Sequence, residues 1–150
     1  MARIIAICNQ KGGIGKTTTA VSLATGLARF GKKTLLIDTD AQCNSTDTYR
    51  AVTKDTATLY DLLLESEELE ECIQHTPSGD IIASDKLLTS AEQKFPQDPS
   101  RYFLMKQKCQ ALEDIYDYVI IDTPPVLGVI LSNVLTYANE CIIPFTCDRY

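Results

Sequence analysis

The sequence has 150 residues, 45% of them hydrophobic and 23% charged, which suits one globular domain with a sizeable core but not two full domains. Its formal net charge of −6, with Lys and Arg scattered along the chain, argues against a nucleic-acid-binding surface. Six widely spaced cysteines and one histidine exclude the usual zinc patterns. With no signal peptide and no apolar stretch of membrane-spanning length, we expect a reduced, cytoplasmic protein that does not contact a membrane.

The first informative stretch is a glycine-rich loop between an apolar strand and a helix. Residues 4–7 are continuously apolar and predict a buried strand, and apolar residues at helical spacing predict a helix over 17–30. This order is typical of a phosphate-binding loop, in which backbone N–H groups and the helix N-terminus face the anion. Lys16 is predicted to reach the outer phosphates and Thr17 to ligate Mg²⁺. The predicted phosphate-binding residues are Lys11, Gly12, Gly13, Ile14, Gly15, Lys16, Thr17 and Thr18.

The loop departs from the usual pattern at its beginning. Gln10 stands where glycine is normally found, and a second lysine, Lys11, lies inside the loop. The sequence therefore predicts a deviant form of the phosphate loop. The alternative interpretation is an ordinary glycine-rich turn.

A second buried strand is predicted at 34–37, and a helix joining two such strands makes a right-handed, parallel unit. Asp38 and Asp40 follow this strand. Loops at the carboxyl ends of parallel strands line the ligand crevice, so we expect both to face the phosphate loop. One carboxylate can hold Mg²⁺ or its waters and the other can orient the attacking water. The alternative is that both only cap or turn the chain.

The middle of the chain is less informative. Residues 58–64 are predicted to form the start of a helix, and the acidic residues 65–71 a solvated helix face. Residues 80–84 predict a short strand. His75 lies in a turn-rich segment and is predicted to be an ordinary surface residue. A helix over 102–115, a helix over 134–139 and a strand over 141–145 complete the predicted elements.

Asp122 ends another apolar strand and is followed by Pro124 and Pro125, which force the chain to leave the sheet. A strand that delivers an aspartate beside a phosphate loop is the arrangement that supports Mg²⁺ in nucleotide hydrolases. The predicted metal-linked residues are therefore Thr17, Asp38 and Asp122. The predicted fold is α/β, a three-layer sandwich around a mostly parallel sheet.

Three stretches together resemble the ParA/Soj partition ATPases of the ParA/MinD group, which have a deviant Walker-A loop. The stretches are Asn9-Gln10-Lys11-Gly12-Gly13-Ile14-Gly15-Lys16-Thr17-Thr18, Leu36-Ile37-Asp38-Thr39-Asp40-Ala41-Gln42-Cys43-Asn44 and Tyr118-Val119-Ile120-Ile121-Asp122-Thr123-Pro124-Pro125. Ala41 and Cys43 depart from the family pattern, which has proline and glycine there. The resemblance implies a P-loop NTPase fold that is incomplete at its C-terminus, with residues 1–150 as a single ATPase domain and the N-terminal portion of a longer one.

The resemblance also implies roles. Lys11 would cross a dimer interface to the partner's nucleotide, Lys16 would hold phosphate, and Asp40 would orient the hydrolytic water, which makes Lys11, Lys16 and Asp40 the expected catalytic residues. The cofactors would be ATP and Mg²⁺, and the state an ATP-dependent homodimer. A ParB-like partner and plasmid or chromosome partitioning would follow, with non-specific DNA binding only where the longer family members' second half is present.

Other functions stay open at this stage. Gln10 and Gln42 favour partition proteins over MinD, and Cys109 and Cys141 do not match the cluster-binding segments of nitrogenase-type iron proteins. The bacterial tyrosine autokinases share the segment 121–126 but lack a lysine equivalent to Lys11, and a single terminal Tyr150 does not reproduce their tyrosine cluster. A truncated nucleotide-binding or dimerisation module without turnover is the third possibility.

Overall fold

The computed structural model describes residues 1–65 and 67–147, so Ser66 and Tyr150 lie outside the described residues. Within them one sheet has the strand order β3-β4-β2-β5-β1-β6. All neighbouring pairs are parallel except β3 and β4, which form an antiparallel hairpin. The strands are β1 Arg3–Ile7, β2 Thr34–Asp38, β3 Ile73–Thr76, β4 Gly79–Ile82, β5 Tyr118–Asp122 and β6 Glu140–Ile142.

Helices cover both faces of this sheet. The α-helices are α1 Lys16–Arg29, α2 Asn44–Tyr49, α3 Leu59–Leu64, α4 Leu69–Cys72, α5 Leu104–Cys109, α6 Leu112–Ile115 and α7 Val129–Tyr137. Segments Lys86–Gln93 and Pro99–Tyr102 are 3-10 helices. On one face, Ala20 and Ala24 of α1 pack with Ile5, Leu36 and Ile120. The opposite face holds the larger core, which confirms the predicted three-layer α/β sandwich.

The central strands explain why the apolar runs were informative. Helices cover β2 and β5 on both faces, and every residue of β2 is buried. A strand covered on both faces has no solvent side, so its sequence is continuously apolar instead of alternating. The carboxyl ends of β1, β2 and β5 then meet at one edge of the sheet, where the candidate site lies.

Several element predictions were wrong in detail. His75 lies in β3 and not in a turn, although its imidazole is exposed as predicted, and it contacts Asp80 at 2.7 Å. The predicted helix over 102–115 is divided into α5 and α6. Gln110 and Ala111, which lie between these two helices, still have helical backbone angles. The described glutamates of the acidic stretch 65–71 are exposed as predicted, but the described helix there is the short α4, whose Leu69 is buried.

The end of the described chain also differs from the prediction. Helix α7 begins at Val129 instead of residue 134, because the Glu92 carboxylate accepts a hydrogen bond from the Val129 N–H at 2.8 Å and so caps the helix. Strand β6 ends at Ile142, two residues before Pro144. Proline has no N–H to donate to a strand ladder. The strand predicted at 80–84 is present as β4, Gly79–Ile82.

Candidate nucleotide-binding site

The phosphate loop lies where the sequence predicts it, between the end of β1 and the first residue of α1. Gly13 and Gly15 have left-handed backbone angles, with φ of 72° and 90°. Residues with a Cβ adopt these angles at a cost, which explains glycine at both positions. Lys16 is only 8% exposed, and its ammonium group donates a hydrogen bond to the Lys11 carbonyl at 3.1 Å. The lysine is thus held against its own loop.

A cavity of about 410 Å³ opens beside this loop and joins three parts of the chain. The loop and α1 form one wall, Asp40 and Gln42 after β2 form another, and Pro125 after β5 closes it. Its lining residues are Gly12, Gly13, Gly15, Lys16, Thr17, Thr18, Asp40, Gln42, Asn44 and Pro125. The predicted phosphate-binding residues are thereby brought together, apart from Ile14 and Lys11, which do not line the cavity.

Asp122 lies at the end of β5 and is 1% exposed. Its Oδ2 accepts a hydrogen bond from the Ser45 hydroxyl at 2.7 Å, whereas its buried Oδ1 has no hydrogen-bond partner within the described residues. Burial raises the pKa of Asp122, and the neighbouring Ser45 and Thr17 side chains oppose that shift. Thr17 and Asp122 therefore lie side by side with one carboxylate oxygen available.

This pair fits the Mg²⁺ that the fold implies. Buried polar atoms normally have partners, so an unpaired carboxylate oxygen beside a hydroxyl indicates a place for a cation or its water. No cluster of three or more His, Cys, Asp or Glu residues that could hold a metal occurs in residues 1–65 and 67–147. Such a cluster is not needed when nucleotide phosphates supply the remaining ligands.

Asp38 ends β2 directly opposite Asp122 in the strand register, but its surroundings differ. Its Oδ2 accepts hydrogen bonds from the Thr46 N–H and hydroxyl, both at 2.8 Å, and its Oδ1 accepts one from the Asp40 N–H at 3.1 Å. Burial raises the pKa of Asp38 to about 6 in spite of these bonds. The carboxylate thus anchors α2 to the sheet, and its predicted role as a metal residue stays a prediction.

Asp40 and Lys11 occupy the exposed side of the site. The Asp40 carboxylate accepts a hydrogen bond from the Gln42 N–H at 2.9 Å, and the Asp40 carbonyl accepts one from the Ser84 hydroxyl at 2.7 Å. These bonds hold Asp40 at the cavity wall. The Lys11 residue is exposed, and its N–H donates to the Asn9 side chain at 2.9 Å.

Comparisons with known proteins identify the family of this chain. The chain is 39% identical over 153 residues to the sporulation initiation inhibitor protein Soj of Bacillus subtilis, covering 100% of this chain and 60% of Soj. A family model described as an AAA domain matches residues 2–150. The chain belongs to this AAA domain family and is of the ParA/Soj type.

Solved structures of similar chains show the P-loop ATPase fold of this family. Cobyrinic acid a,c-diamide synthase from Mycobacterium smegmatis, with bound ADP and magnesium, has a TM-score of 0.93 and 32% identity over 99% of this chain and 62% of its own. A plasmid partition protein from Borrelia burgdorferi, bound to AMPPNP, has a TM-score of 0.89 and 32% identity over 99% of this chain and 64% of its own. The chain thus spans about 60% of the length of the relatives it matches.

Sequence reasoning missed part of the site of this ParA/Soj-type chain. Ser45 and Thr46, fully buried at the start of α2, hold the two aspartates, and Ser84 bonds to the Thr46 hydroxyl through its N–H at 2.9 Å. The polar sequence of α2 carries no apolar periodicity. The signal in the sequence that could have indicated these two residues is that they form a Ser-Thr pair a few positions after Asp38 and Asp40. Among the described residues, no helix combines the length and apolar character required to cross a bilayer.

Proposed function

We propose that this chain is the nucleotide-binding part of a partition-type ATPase that binds Mg·ATP at the phosphate loop. The observation that carries the proposal is the unpaired, buried Oδ1 of Asp122, whose neighbour Thr17 lines the cavity beside the loop. A structural aspartate would have both oxygens satisfied, as Asp38 does. The relatives that carry ADP with magnesium, or AMPPNP, support this choice of ligand.

Each residue of the site has a separate role in this proposal. Lys16 exchanges the Lys11 carbonyl for a phosphate oxygen when nucleotide enters, since its ammonium group already lies at the loop. Thr17 and Asp122 would hold Mg²⁺, which when bound neutralises charge on the phosphates. Asp40, fixed at the cavity wall by Gln42 and Ser84, orients the attacking water. Loop N–H groups and the α1 N-terminus bind the remaining phosphate charge.

Dimerisation belongs to the same proposal. Lys11 is exposed and does not line the cavity of its own chain, so its ammonium group is available to a nucleotide held by a second copy. We therefore propose an ATP-dependent homodimer that acts in plasmid or chromosome partitioning with a ParB-like partner. Non-specific DNA binding is proposed only for chains that contain the additional length found in the relatives.

The direct test is nucleotide binding by this chain. Fluorescence titration with mant-ATP and Mg²⁺ should give saturable binding, and Lys16→Ala should weaken it by at least about tenfold, because a charged hydrogen bond to phosphate is lost. Lys33→Ala is the matched control, because Lys33 is exposed and follows α1 at the end remote from the loop. Equal affinities of the native chain and Lys16→Ala would contradict the proposal.

A second candidate is a binding module that holds nucleotide without turnover. An exposed apolar set around β6 favours it, and this set includes Leu127, Leu135, Ile143 and Phe145. An apolar surface of this kind normally contacts another chain or segment. Release of phosphate from ATP by the native chain, abolished in Lys16→Ala, would exclude this candidate.

A further inference from the structure

One polar side chain joins the start of the phosphate loop to the segment after β6. The Asn9 amide oxygen accepts a hydrogen bond from the Lys11 N–H at 2.9 Å, and its amide NH₂ donates to the Pro144 carbonyl at 2.8 Å. Next to this side chain, a backbone bond also joins the ends of β1 and β6, since the Cys8 N–H donates to the Ile142 carbonyl at 2.9 Å. Asn9 therefore extends the contact between β1 and β6 beyond the last ladder pair, up to the loop.

The same loop residue is held from its other side by Lys16, whose ammonium group donates to the Lys11 carbonyl. The Lys16 ammonium group has three donors and also binds phosphate in the proposed function, so phosphate competes with the Lys11 carbonyl for this group when nucleotide enters. The Asn9 contact involves no group that the phosphate uses. Of the two side-chain contacts to the Lys11 backbone, the one from Asn9 is therefore the one for which phosphate does not compete.

Asparagine suits this place for a chemical reason. Its terminal amide donates and accepts at the same time, so one short side chain binds both an N–H and a carbonyl. An aspartate accepts at Lys11 but has no hydrogen to donate to Pro144 when ionised, and leucine has similar volume and neither function. The two contacts can thus be separated by substitution.

We propose that Asn9 is a positioning residue that fixes the Lys11 backbone, through its N–H, so that the Lys11 side chain is presented to the nucleotide of a second copy of this chain. The inference rests on the proposed function, since it concerns the ATP-dependent dimer. Asn9 itself contacts neither phosphate nor metal in this arrangement. Its effect should appear in dimer affinity and not in nucleotide binding by the single chain.

The experiment compares two affinities in the same variants. Dimerisation of the 150-residue chain with AMPPNP and Mg²⁺ is measured by sedimentation velocity over a concentration series, and binding of mant-AMPPNP is measured below the dimerisation range. Asn9→Leu should weaken dimerisation by about tenfold or more and change nucleotide affinity by less than about twofold. Asn9→Asp, which keeps the acceptor for the Lys11 N–H, should restore most of the dimer affinity.

Asn139→Ala is the matched control. Asn139 also fixes β1 through a side-chain oxygen, which accepts a hydrogen bond from the Ile4 N–H at 3.0 Å, but at the end of the strand remote from the loop. It should lower the unfolding free energy as much as Asn9→Leu does and leave dimer affinity unchanged. This comparison separates positioning of Lys11 from a general loss of strand stability.

Three results would overturn the inference: unchanged dimerisation in Asn9→Leu, parallel loss of nucleotide binding and dimerisation, or an Asn9→Asp variant as weak as Asn9→Leu. Failure of the proposed function looks different. In that case the native chain itself shows no increase in mass with AMPPNP, or shows no binding of mant-AMPPNP.

Discussion

The ends of β2 and β5 carry the same residue type in the same register, yet they present different chemistry. Asp38 and Asp122 are paired across neighbouring strands, and both are almost completely buried. Asp38 accepts three hydrogen bonds that use both of its oxygens, whereas the described residues give Asp122 a hydroxyl at one oxygen and no hydrogen-bond partner at the other. The first carboxylate is satisfied by the protein, and the second has capacity for a ligand.

The difference arises from two neighbouring residues in the first turn of α2 and from the Asp40 N–H, which fills the Oδ1 of Asp38. Thr46 turns its N–H and hydroxyl to Asp38, and the preceding residue, Ser45, offers a single hydroxyl to Asp122. A backbone N–H and a hydroxyl on the same residue can converge on one oxygen, while a lone hydroxyl satisfies one lone pair. A strand-end aspartate is therefore not by itself a metal residue, because its partners decide what remains available.

The largest expected effect is on stability as a function of pH. Burial raises the pKa of Asp38 to about 6 from its ordinary value of 3.8, so between these values the folded protein binds a proton that the unfolded chain has released. This contribution to folding is present at low pH and is lost as pH rises through about 6. Asp38→Asn cannot titrate, so the native chain should gain about 2 kcal/mol of unfolding free energy relative to this variant between pH 7 and pH 4.

Urea denaturation of both proteins at the two pH values, in EDTA, measures this change. The contributions of groups that do not interact with Asp38 cancel in the difference, and Asp122, whose charge acts on Asp38, is the neighbouring group that adds to it. If the difference in unfolding free energy between the native chain and Asp38→Asn does not depend on pH, Asp38 is ionised at both pH values. The pKa of Asp38 would then not distinguish its surroundings from those of Asp122.

Much of the fold could be predicted because its signals are local in the sequence. The glycine loop, the apolar runs of β1, β2 and β5 and the aspartates that follow them lie within short segments whose spacing sets their geometry. The elements that were misjudged depend on distant partners. Helix α7 begins five residues earlier than predicted because Glu92, 37 residues away in the sequence, caps it.

The candidate site divides in the same way. Lys16, Thr17 and Asp122 could be placed from strand and loop order alone. Their partners could not, because Ser45 lies 77 residues from Asp122 in the sequence and Ser84 lies 38 residues from Thr46. Which oxygen is free is a property of those long-range contacts, and no periodicity records them.

The next effect concerns the metal. Mg²⁺ should strengthen mant-ATP binding by the native chain, and Asp122→Asn should reduce that gain by about tenfold, because a neutral amide is a weaker ligand than a carboxylate. Asp38→Asn should keep the gain within about twofold of the native value, since the Asp38 oxygens already bind Thr46 and Asp40. The ratio of affinities with Mg²⁺ and with EDTA measures this. Equal losses in the two variants would make Asp38 a metal residue too and end the contrast.

The smallest expected change in nucleotide affinity separates the two neighbouring hydroxyls. Thr46→Val keeps the shape of the side chain but removes a hydroxyl that donates to Asp38 and accepts from the Ser84 N–H, so it should lower the unfolding free energy by about 1 to 2 kcal/mol. Ser45→Ala removes one hydrogen bond, to Asp122, where Thr46→Val removes two, and it should cost about 1 kcal/mol. The Mg²⁺-dependent gain in nucleotide affinity should respond in the opposite order, unchanged in Thr46→Val and shifted by about threefold in Ser45→Ala. Urea denaturation and the mant-ATP titration measure both quantities in the same variants. If one variant dominates both measurements, the two aspartates act as one coupled unit instead of a structural carboxylate beside a ligand-binding one.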